Sequence, residues 1–196
     1  FPDLIRFAKT QWNCARVREM AGVPCYPVGP SLDIDLFRPR VKQETVWPER
    51  PLRVTAMVRP NTPRRQAKFT MDVLRQFYQN HAGSVEIVLF GVEPHDPEFQ
   101  RLSKDYPWRH AGILTRSQLA SLMNEVDIFV DFSSFQAMGL TAMEAMACGA
   151  AVILPQDGGA SSFAVHEKNA LIVNTQSKQD CLNALERLYR DNDLRA

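Results

Sequence analysis

The sequence predicts an α/β fold in which a parallel sheet is flanked by helices. Six short apolar stretches have the length and composition of buried strands: residues 53–58, 85–90, 110–114, 127–132, 150–154 and 170–173. Most segments between them carry apolar residues at helical spacing. Strands that alternate with helices of about 10–15 residues form parallel sheets covered on both faces.

The composition is that of a globular protein and favours no nucleic-acid partner. The 196 residues are 45% hydrophobic and 23% charged, which predicts one domain with a core of ordinary size. The net charge is only +1, so an anion site must come from a local basic patch. The four cysteines lack metal-ligand spacing and are predicted to be reduced, structural thiols of a cytosolic protein.

Before the main sheet, the sequence predicts three short elements and a linker. A helix over residues 10–21 begins at Thr10, whose side chain can cap it, and ends at Gly22. The other segments are, in chain order, a strand at 4–8, an edge strand at 23–28, a loop at 30–39 and a solvated linker at 40–51. Because the chain begins at Phe1 and ends within a predicted helix, we expect a fragment of a longer protein.

Between and after the strands of the main sheet, apolar periodicity predicts four helices. One further short helix is predicted after a polar loop. The four are residues 66–80, 97–104, 117–124 and 178–190, the third of them capped by Ser117. The short helix follows the fourth strand, begins at Gly139 and ends at Gly149. No apolar run of about 18 residues is present, so no transmembrane segment is predicted.

A basic loop follows the first strand of this sheet. It reads Arg59-Pro60-Asn61-Thr62-Pro63-Arg64-Arg65 and places three guanidinium groups within seven residues. Arginine binds phosphate oxygens in a bidentate manner and keeps its charge, and the two prolines restrict the loop before a ligand binds. The loop therefore predicts a diphosphate clamp; the alternative is a solvated basic loop.

A second polar loop, residues 133–139, leads from a strand into the short helix. A loop at the carboxyl end of a strand, followed by a helix N-terminus, binds anionic ligands in open α/β sheets. Gln136 lies in this loop, and Glu144 falls eight residues later, within the helix. The alternative is that these two residues are a helix cap and a surface carboxylate.

This second stretch resembles a signature of retaining, nucleotide-sugar-dependent glycosyltransferases with the GT-B fold, the large family 4 group. In that family a Glu, seven residues and a second Glu are followed by Ala-Met-Ala-x-Gly. Here the two positions are Gln136 and Glu144, and residues 145–149 read Ala-Met-Ala-Cys-Gly. The resemblance is strongest at 57–65 and 127–173. It implies a Rossmann-like sheet that forms the C-terminal half of a GT-B glycosyltransferase.

The resemblance also implies a domain organisation. Residues 41–196 would form the donor-binding domain, and residues 1–40 would supply trailing elements and an inter-domain linker region. The N-terminal, acceptor-binding domain would be absent from this chain. Because transfer takes place between the two halves, the chain alone would bind the donor and transfer sugar poorly.

By the same resemblance, the chain carries a set of donor contacts. Arg59 and Arg65 would contact the donor diphosphate, together with the backbone N–H groups of Gly139, Leu140 and Thr141. Glu144 would accept hydrogen bonds from the ribose. The backbone of Gly112, Ile113 and Leu114 would meet the nucleobase.

Two positions depart from the family pattern or leave alternatives open. Gln136 stands near the transferred sugar without the charge of the usual Glu. The Gly158-Gly159 pair is either a simple turn or part of the sugar pocket.

The enzyme implied is a hexosyltransferase that uses neither a metal ion nor a cofactor. It would transfer sugar from a nucleoside-diphosphate sugar, with retention, to a glycan or lipid-linked acceptor. Bacterial surface polysaccharide or lipopolysaccharide synthesis is the implied setting, in the cytoplasm and at the inner face of the cell membrane by peripheral association.

Two alternatives remain for the function. One is a nucleotide-binding or scaffold module in which Gln136 has abolished transfer. The other is a GT-B-like sugar-nucleotide epimerase, which would need additional acid/base groups near the sugar.

Overall fold

The computed structural model describes residues 4–40, 50–102 and 105–196. The strands of this part of the chain are β1 Phe7–Ala8, β2 Tyr26–Pro27, β3 Leu52–Met57, β4 Val85–Phe90, β5 Arg109–Gly112, β6 Ile128–Val130, β7 Ala151–Pro155 and β8 Leu171–Val173. Its α-helices are α1 Gln11–Ala21, α2 Ala67–Asn80, α3 Pro97–Gln100, α4 Arg116–Glu125, α5 Leu140–Ala147, α6 Lys178–Arg190 and α7 Asn192–Arg195.

Strands β3 to β8 form one six-stranded sheet in the order β5-β4-β3-β6-β7-β8. Every neighbouring pair in this sheet is parallel. This is the strand order of a Rossmann fold, so the predicted fold class is confirmed. The chain reverses its winding direction between β3 and β6, which creates a topological switch point there.

Helices cover both faces of the sheet, and each face has its own buried core. On one face, Val54, Ile87 and Ile128 pack with residues of α2 and α6. On the other face, Val88 and Phe129 pack with residues of α4 and α5. Alternate residues of one strand thus serve opposite cores, which explains why the strands are nearly continuous apolar runs.

The segment before the linker folds as predicted around α1. The Thr10 hydroxyl accepts a hydrogen bond from the Asn13 N–H at 3.1 Å and caps the helix, which ends at Gly22 with φ of +64°. The flanking strands β1 and β2 are shorter than predicted and pair with each other in parallel. The linker predicted at 40–51 lies mainly outside the described residues, because positions 41–49 are not described.

Three local predictions are corrected by the structure. Helix α4 is capped by Thr115 rather than Ser117, because Thr115 and Gln118 form a reciprocal capping box. Strand β5 ends at Gly112, so Ile113 and Leu114 lie in the loop that follows. Helix α3 ends at residue 100, before the predicted end at 104.

The remaining predicted elements lie close to their expected positions. Strand β4 and helix α6 have the predicted bounds. Within the described ranges, no helix is long and apolar enough to cross a membrane.

Candidate functional site

Strands β3 and β6 are neighbours at the switch point, where an open α/β sheet has a crevice beyond the carboxyl ends of its strands. The loops that follow these two strands meet there, since Ser134 N–H donates to the Arg64 carbonyl oxygen at 2.8 Å. Gln66, at the end of the β3 loop, ties the loops together. Its side-chain amide donates to the carbonyl oxygens of Phe132 at 2.9 Å and Thr175 at 3.2 Å. The basic loop and the polar loop, which are far apart in sequence, are therefore fixed against each other.

The basic loop presents three guanidinium groups at this crevice in different environments. Arg59 is exposed, whereas the Arg65 side chain is only 14% exposed and pairs with Asp131 at 3.2 Å. Burial lowers the pKa of Arg65; the Asp131 carboxylate opposes this shift, and the positive charges of Arg64 and Arg59 add to it. Within the described part of the chain, the buried Nε of Arg65 has no hydrogen-bond partner. The site therefore concentrates positive charge that an anion would neutralise.

Gln136 is buried at the base of the same crevice and joins an acidic neighbour to a basic one. Its Nε2 donates to Asp131 Oδ2 at 2.6 Å and to Ser133 Oγ at 3.0 Å. Its Oε1 accepts from an Arg64 guanidinium nitrogen at 3.0 Å. Gln136 is not the helix cap of the alternative interpretation, because it precedes the capping residue, Gly139, along the loop and is only 4% exposed.

The Gly158-Gly159 pair packs against the backbone of the polar loop. Gly159 N–H donates to the Gln136 carbonyl oxygen at 2.7 Å. A Cβ added to Gly158 would lie 1.9 Å from that oxygen, and one added to Gly159 would lie 2.2 Å from the Ala137 carbonyl oxygen. The two glycines therefore permit a backbone approach that no larger residue allows.

Helix α5 begins where the polar loop ends, with its N-terminus at the crevice. Gly139 caps it with φ of +89°, and Phe163 lies 3.3 Å from where its Cβ would be. Leu140 and Thr141 form the first turn, and the first N–H groups of a helix have no intrahelical acceptor. The helix therefore presents N–H donors and the positive end of its dipole at the same place as the arginines.

Glu144 is in the second turn of α5 and is 5% exposed. Among the described residues, none donates a hydrogen bond to its carboxylate. Burial raises the pKa of Glu144 to about 7, although the positive charge of Arg116 opposes that shift. The carboxylate is thus not the surface group of the alternative interpretation. It belongs to a buried residue and accepts no hydrogen bond from the described part of the chain.

The raised pKa predicts how Glu144 affects stability. A carboxyl group whose pKa is higher in the folded state contributes stability at low pH and loses it as the pH rises through the folded value. We therefore expect Glu144→Gln to melt several degrees higher than the wild type at about pH 8, a gain of roughly 1–3 kcal/mol. At about pH 4, below the ordinary carboxyl pKa of 4.5, the two proteins should melt together.

Thermal unfolding at both pH values tests this expectation. The exposed Glu93→Gln change is the control for loss of a negative charge elsewhere on the chain. Equal stability of Glu144→Gln and the wild type at both pH values would contradict a raised pKa.

The segment expected to meet the nucleobase lies beside the crevice, after β5. The Gly112 carbonyl oxygen accepts from Gly91 N–H at 2.8 Å, and Gly112 has φ of +74°. Ile113 is 61% exposed, whereas Leu114 packs on the core of the α4 and α5 face. The backbone thus leaves the strand conformation at Gly112, and the Ile113 side chain is open to solvent.

The polar loop is also tied to the N-terminal segment. The Thr10 hydroxyl donates to the Ala137 carbonyl oxygen at 3.0 Å. The rings of Trp12 and Phe135 stack with centroids 5.7 Å apart, and the Arg64 guanidinium lies 5.7 Å from the Phe135 ring centroid. Helix α1 thus supports the loop that carries Gln136.

The structure brings Arg59, Arg65, Gln136, Gly139–Thr141 and Glu144 to one end of the sheet, with 112–114 alongside. The site expected from the sequence did not include Asp131. It counted Arg64 as one of the three guanidinium groups of the basic loop, without its bond to Gln136. Asp131 lies within the strand that the sequence predicts at 127–132. A carboxylate at the carboxyl end of an apolar strand nevertheless indicates a position at the ligand-binding end of the sheet.

Other parts of the described chain offer less convergence of polar groups. A cavity of about 280 Å³ lies at the opposite end of the sheet, where the strands begin. It is near Ala151 and Leu171, the first residues of β7 and β8. The described ranges contain no group of three or more His, Cys, Asp or Glu side chains that could hold a metal ion. All four cysteines are free and buried.

A Rossmann-type sheet with basic residues and a helix N-terminus at its switch point is the arrangement expected for the C-terminal domain of a GT-B glycosyltransferase. The profile of the family described as glycosyl transferases group 1 matches residues 52–191. The chain belongs to this family, so the family resemblance of the sequence is confirmed.

Individual relatives agree with this assignment, and solved structures agree with the fold. The glycosyltransferase YqgM of Bacillus subtilis is 27% identical over 111 residues, which cover 55% of this chain and 31% of that protein. Sucrose-phosphate synthase of Thermosynechococcus elongatus superposes with a TM-score of 0.79 at 20% identity, covering 96% of this chain and 49% of that chain. Anabaena HepE, solved in complex with UDP and glucose, superposes with a TM-score of 0.76 at 17% identity, covering 97% and 54%. The chain therefore spans about a third to a half of the length of these three proteins.

Proposed function

We propose that this chain is the donor-binding half of a glycosyltransferase and binds a nucleoside-diphosphate sugar. The observation that carries the proposal is that the basic loop is bonded to the polar loop that leads into the N-terminus of α5, beside the switch point. Arg64 bonds to Gln136 and Ser134, and Arg65 pairs with Asp131. Two independent sources of positive potential meet there, as a site for a diphosphate requires.

The arginines and the helix would act mainly on the diphosphate. Arg59 and Arg65, with the N–H groups of Gly139, Leu140 and Thr141, would stabilise the charge that develops as the nucleoside diphosphate leaves. Because these groups are already in place before the reaction, the reorganisation energy at the transition state is small.

Glu144 would bind the ribose of the donor. The residue is 5% exposed, its carboxylate has no donor among the described residues, and two ribose hydroxyls are suitable donors. Hydrogen bonds to the ionised form favour that form, so donor binding would lower the pKa that burial has raised to about 7.

The sugar and the base would lie on either side of these groups. Gln136 would meet the transferred sugar, and the backbone of 112–114 would meet the base. Because the Anabaena structure contains UDP and glucose, uridine is the base to test first.

The full-length protein would complete the reaction with its other half. The N-terminal domain would bring a glycan or lipid-linked acceptor, and transfer would proceed with retention and without a metal ion or cofactor. Residues 41–196 would be the donor domain and residues 1–40 trailing elements. We place the enzyme in bacterial surface polysaccharide synthesis, in the cytoplasm and at the inner membrane face by peripheral association.

One alternative function rests on a specific observation, the uncharged Gln136 at a position where the family carries Glu. On that alternative the chain is a nucleotide-binding scaffold that has lost transfer. Measurable sugar transfer by the wild-type full-length protein would exclude it.

Calorimetric titration with UDP, GDP, ADP and dTDP tests the proposed function. We expect one of the four to bind and the matching monophosphate to bind at least about tenfold more weakly, because the arginines act on the second phosphate. Equal affinity for the monophosphate would contradict the diphosphate clamp. Failure of all four to bind the full-length protein would contradict the proposal as a whole.

A further inference from the structure

Asp131 is the centre of the hydrogen-bond network at the base of the crevice. The residue is 7% exposed. One carboxylate oxygen accepts from Arg65 at 3.2 Å and from Gln136 at 2.6 Å. The other accepts from the N–H and the hydroxyl of Ser133. One buried carboxylate therefore fixes two of the residues that face the proposed donor.

The side-chain amide of Gln136 fits the space between Asp131 and Arg64. A carboxylate only accepts hydrogen bonds and a guanidinium only donates them, so the neighbour on each side requires the opposite role from Gln136. An amide meets both requirements in a single orientation, with Nε2 towards Asp131 and Oε1 towards Arg64.

An ionised glutamate at position 136 can only accept hydrogen bonds, so it suits Arg64 but not Asp131. It would place a carboxylate oxygen where Nε2 now lies, 2.6 Å from Asp131 Oδ2. Two buried carboxylates at that distance cannot both ionise without a large penalty, so one must take up a proton. The charged groups that face the pair are Arg65 and Arg64, with Arg59 acting on Arg65 from the same loop.

We propose that Asp131 is a positioning residue that holds Gln136 and Arg65 in place, and that Gln136 is matched to Asp131 rather than degraded from a glutamate. The carboxylate of this site stands at position 131 instead of position 136. The effect of Asp131 on the diphosphate, through Arg65, rests on the proposed function. The match between Asp131 and Gln136 does not depend on the proposed function.

A double-mutant cycle on the full chain tests the match. The proteins are the wild type, Asp131→Asn, Gln136→Glu and the double variant, compared by thermal unfolding at about pH 5 and about pH 8. We expect Gln136→Glu to lose more stability at the higher pH, because its raised carboxyl pKa contributes stability only while the group is protonated.

The double variant should recover most of the stability that the single variants lose. In it, the amide introduced at position 131 donates to the carboxylate introduced at position 136, and that carboxylate accepts from Arg64 as the Gln136 oxygen does now. Arg65 loses the acceptor that Asp131 provides, so part of the stability loss remains. If the stability losses of the two single variants simply add in the double variant, Gln136 is not matched to Asp131. A Gln136→Glu protein as stable as the wild type at both pH values would also overturn the match.

Titration of the same four proteins with UDP, or with whichever nucleoside diphosphate the wild type binds, tests the positioning role. We expect each single variant to bind about tenfold more weakly than the wild type. The double variant should bind more tightly than Asp131→Asn but less tightly than the wild type, because Arg65 still lacks the acceptor that Asp131 provides. A full-length Gln136→Glu enzyme with increased transfer activity would overturn the proposal, because that result identifies a lost glutamate.

Asp127→Asn is the matched control. Asp127 lies directly before the first residue of β6, at the end of the strand away from the crevice. Its side chain is 11% exposed and pairs with Arg50 at 2.7 Å. Its replacement should therefore lower the melting temperature without changing nucleotide affinity. If the wild type binds no nucleoside diphosphate, the proposed function fails while the melting cycle still decides the match. If Asp131→Asn behaves as Asp127→Asn does, Asp131 is structural only and its positioning role is overturned.

Discussion

Gly158→Ala is expected to lose about 3 kcal/mol or more of unfolding free energy, the largest stability loss we predict from a single methyl group. Two costs combine at this position. The backbone has φ of +121°, a conformation that is essentially restricted to glycine. The new Cβ would also lie 1.9 Å from the Gln136 carbonyl oxygen and 2.7 Å from the carbonyl carbon of that residue.

The clash cannot be relieved by a change of rotamer, because the neighbouring atoms are backbone. Gly158 and Gln136 form a parallel β-bridge, and Gly159 N–H and the Asp157 carbonyl oxygen both bond to the Gln136 backbone. Moving Gly158 therefore moves Gln136, so the variant should also lose affinity for a nucleoside diphosphate.

Gly83→Ala separates the two costs. Gly83 has φ of +86°, but its added Cβ would have no atom within 4 Å, so this variant carries the conformational cost alone, about 1 kcal/mol. Urea unfolding of both variants and the wild type gives the comparison. Equal losses for Gly158→Ala and Gly83→Ala would show that the close approach to Gln136 contributes nothing.

The fold could be predicted because it depends on local pattern. Apolar runs of strand length alternate with amphipathic helices along the chain, and this alternation is sufficient to indicate a parallel sheet. Capping residues were less certain. Thr115 and Ser117 are both competent caps, and only the reciprocal bond with Gln118 selects Thr115.

The partners within the site could not be predicted in the same way, because they are distant in sequence. The Arg64–Gln136 bond joins residues 72 positions apart, and the bond from Thr10 to Ala137 joins residues 127 positions apart. No local pattern specifies such pairs. The motif positions could be recognised without revealing that Gln136 is held by Asp131.

The burial of Glu144 likewise could not be predicted from the sequence. Glu144 occupies an ordinary position on a helix, and its surroundings depend on how α5 packs against β7 and α4. The raised pKa of Glu144 arises from that packing, so only the folded chain shows it.

Arg65→Ala is expected to weaken binding of a nucleoside diphosphate by about tenfold or more. The Arg65 side chain is largely buried against the crevice wall, with one guanidinium nitrogen held by Asp131. Its direction is therefore set before a ligand arrives, and little side-chain entropy is lost on binding. In the full-length enzyme, losing a positive charge that acts on the departing diphosphate should cost roughly 2–4 kcal/mol in activation free energy.

Two variants make the result specific to the guanidinium group. Arg65→Lys keeps the charge but loses the planar fork, so its affinity should lie between those of the wild type and Arg65→Ala. Arg101→Ala removes an arginine that follows α3 and is 74% exposed, and it should bind as the wild type does. Melting temperatures confirm that each variant is folded before calorimetry. An Arg65→Ala protein that is folded and keeps wild-type affinity would refute the role of Arg65 in the clamp, because burial of the side chain would then serve only to pair Asp131.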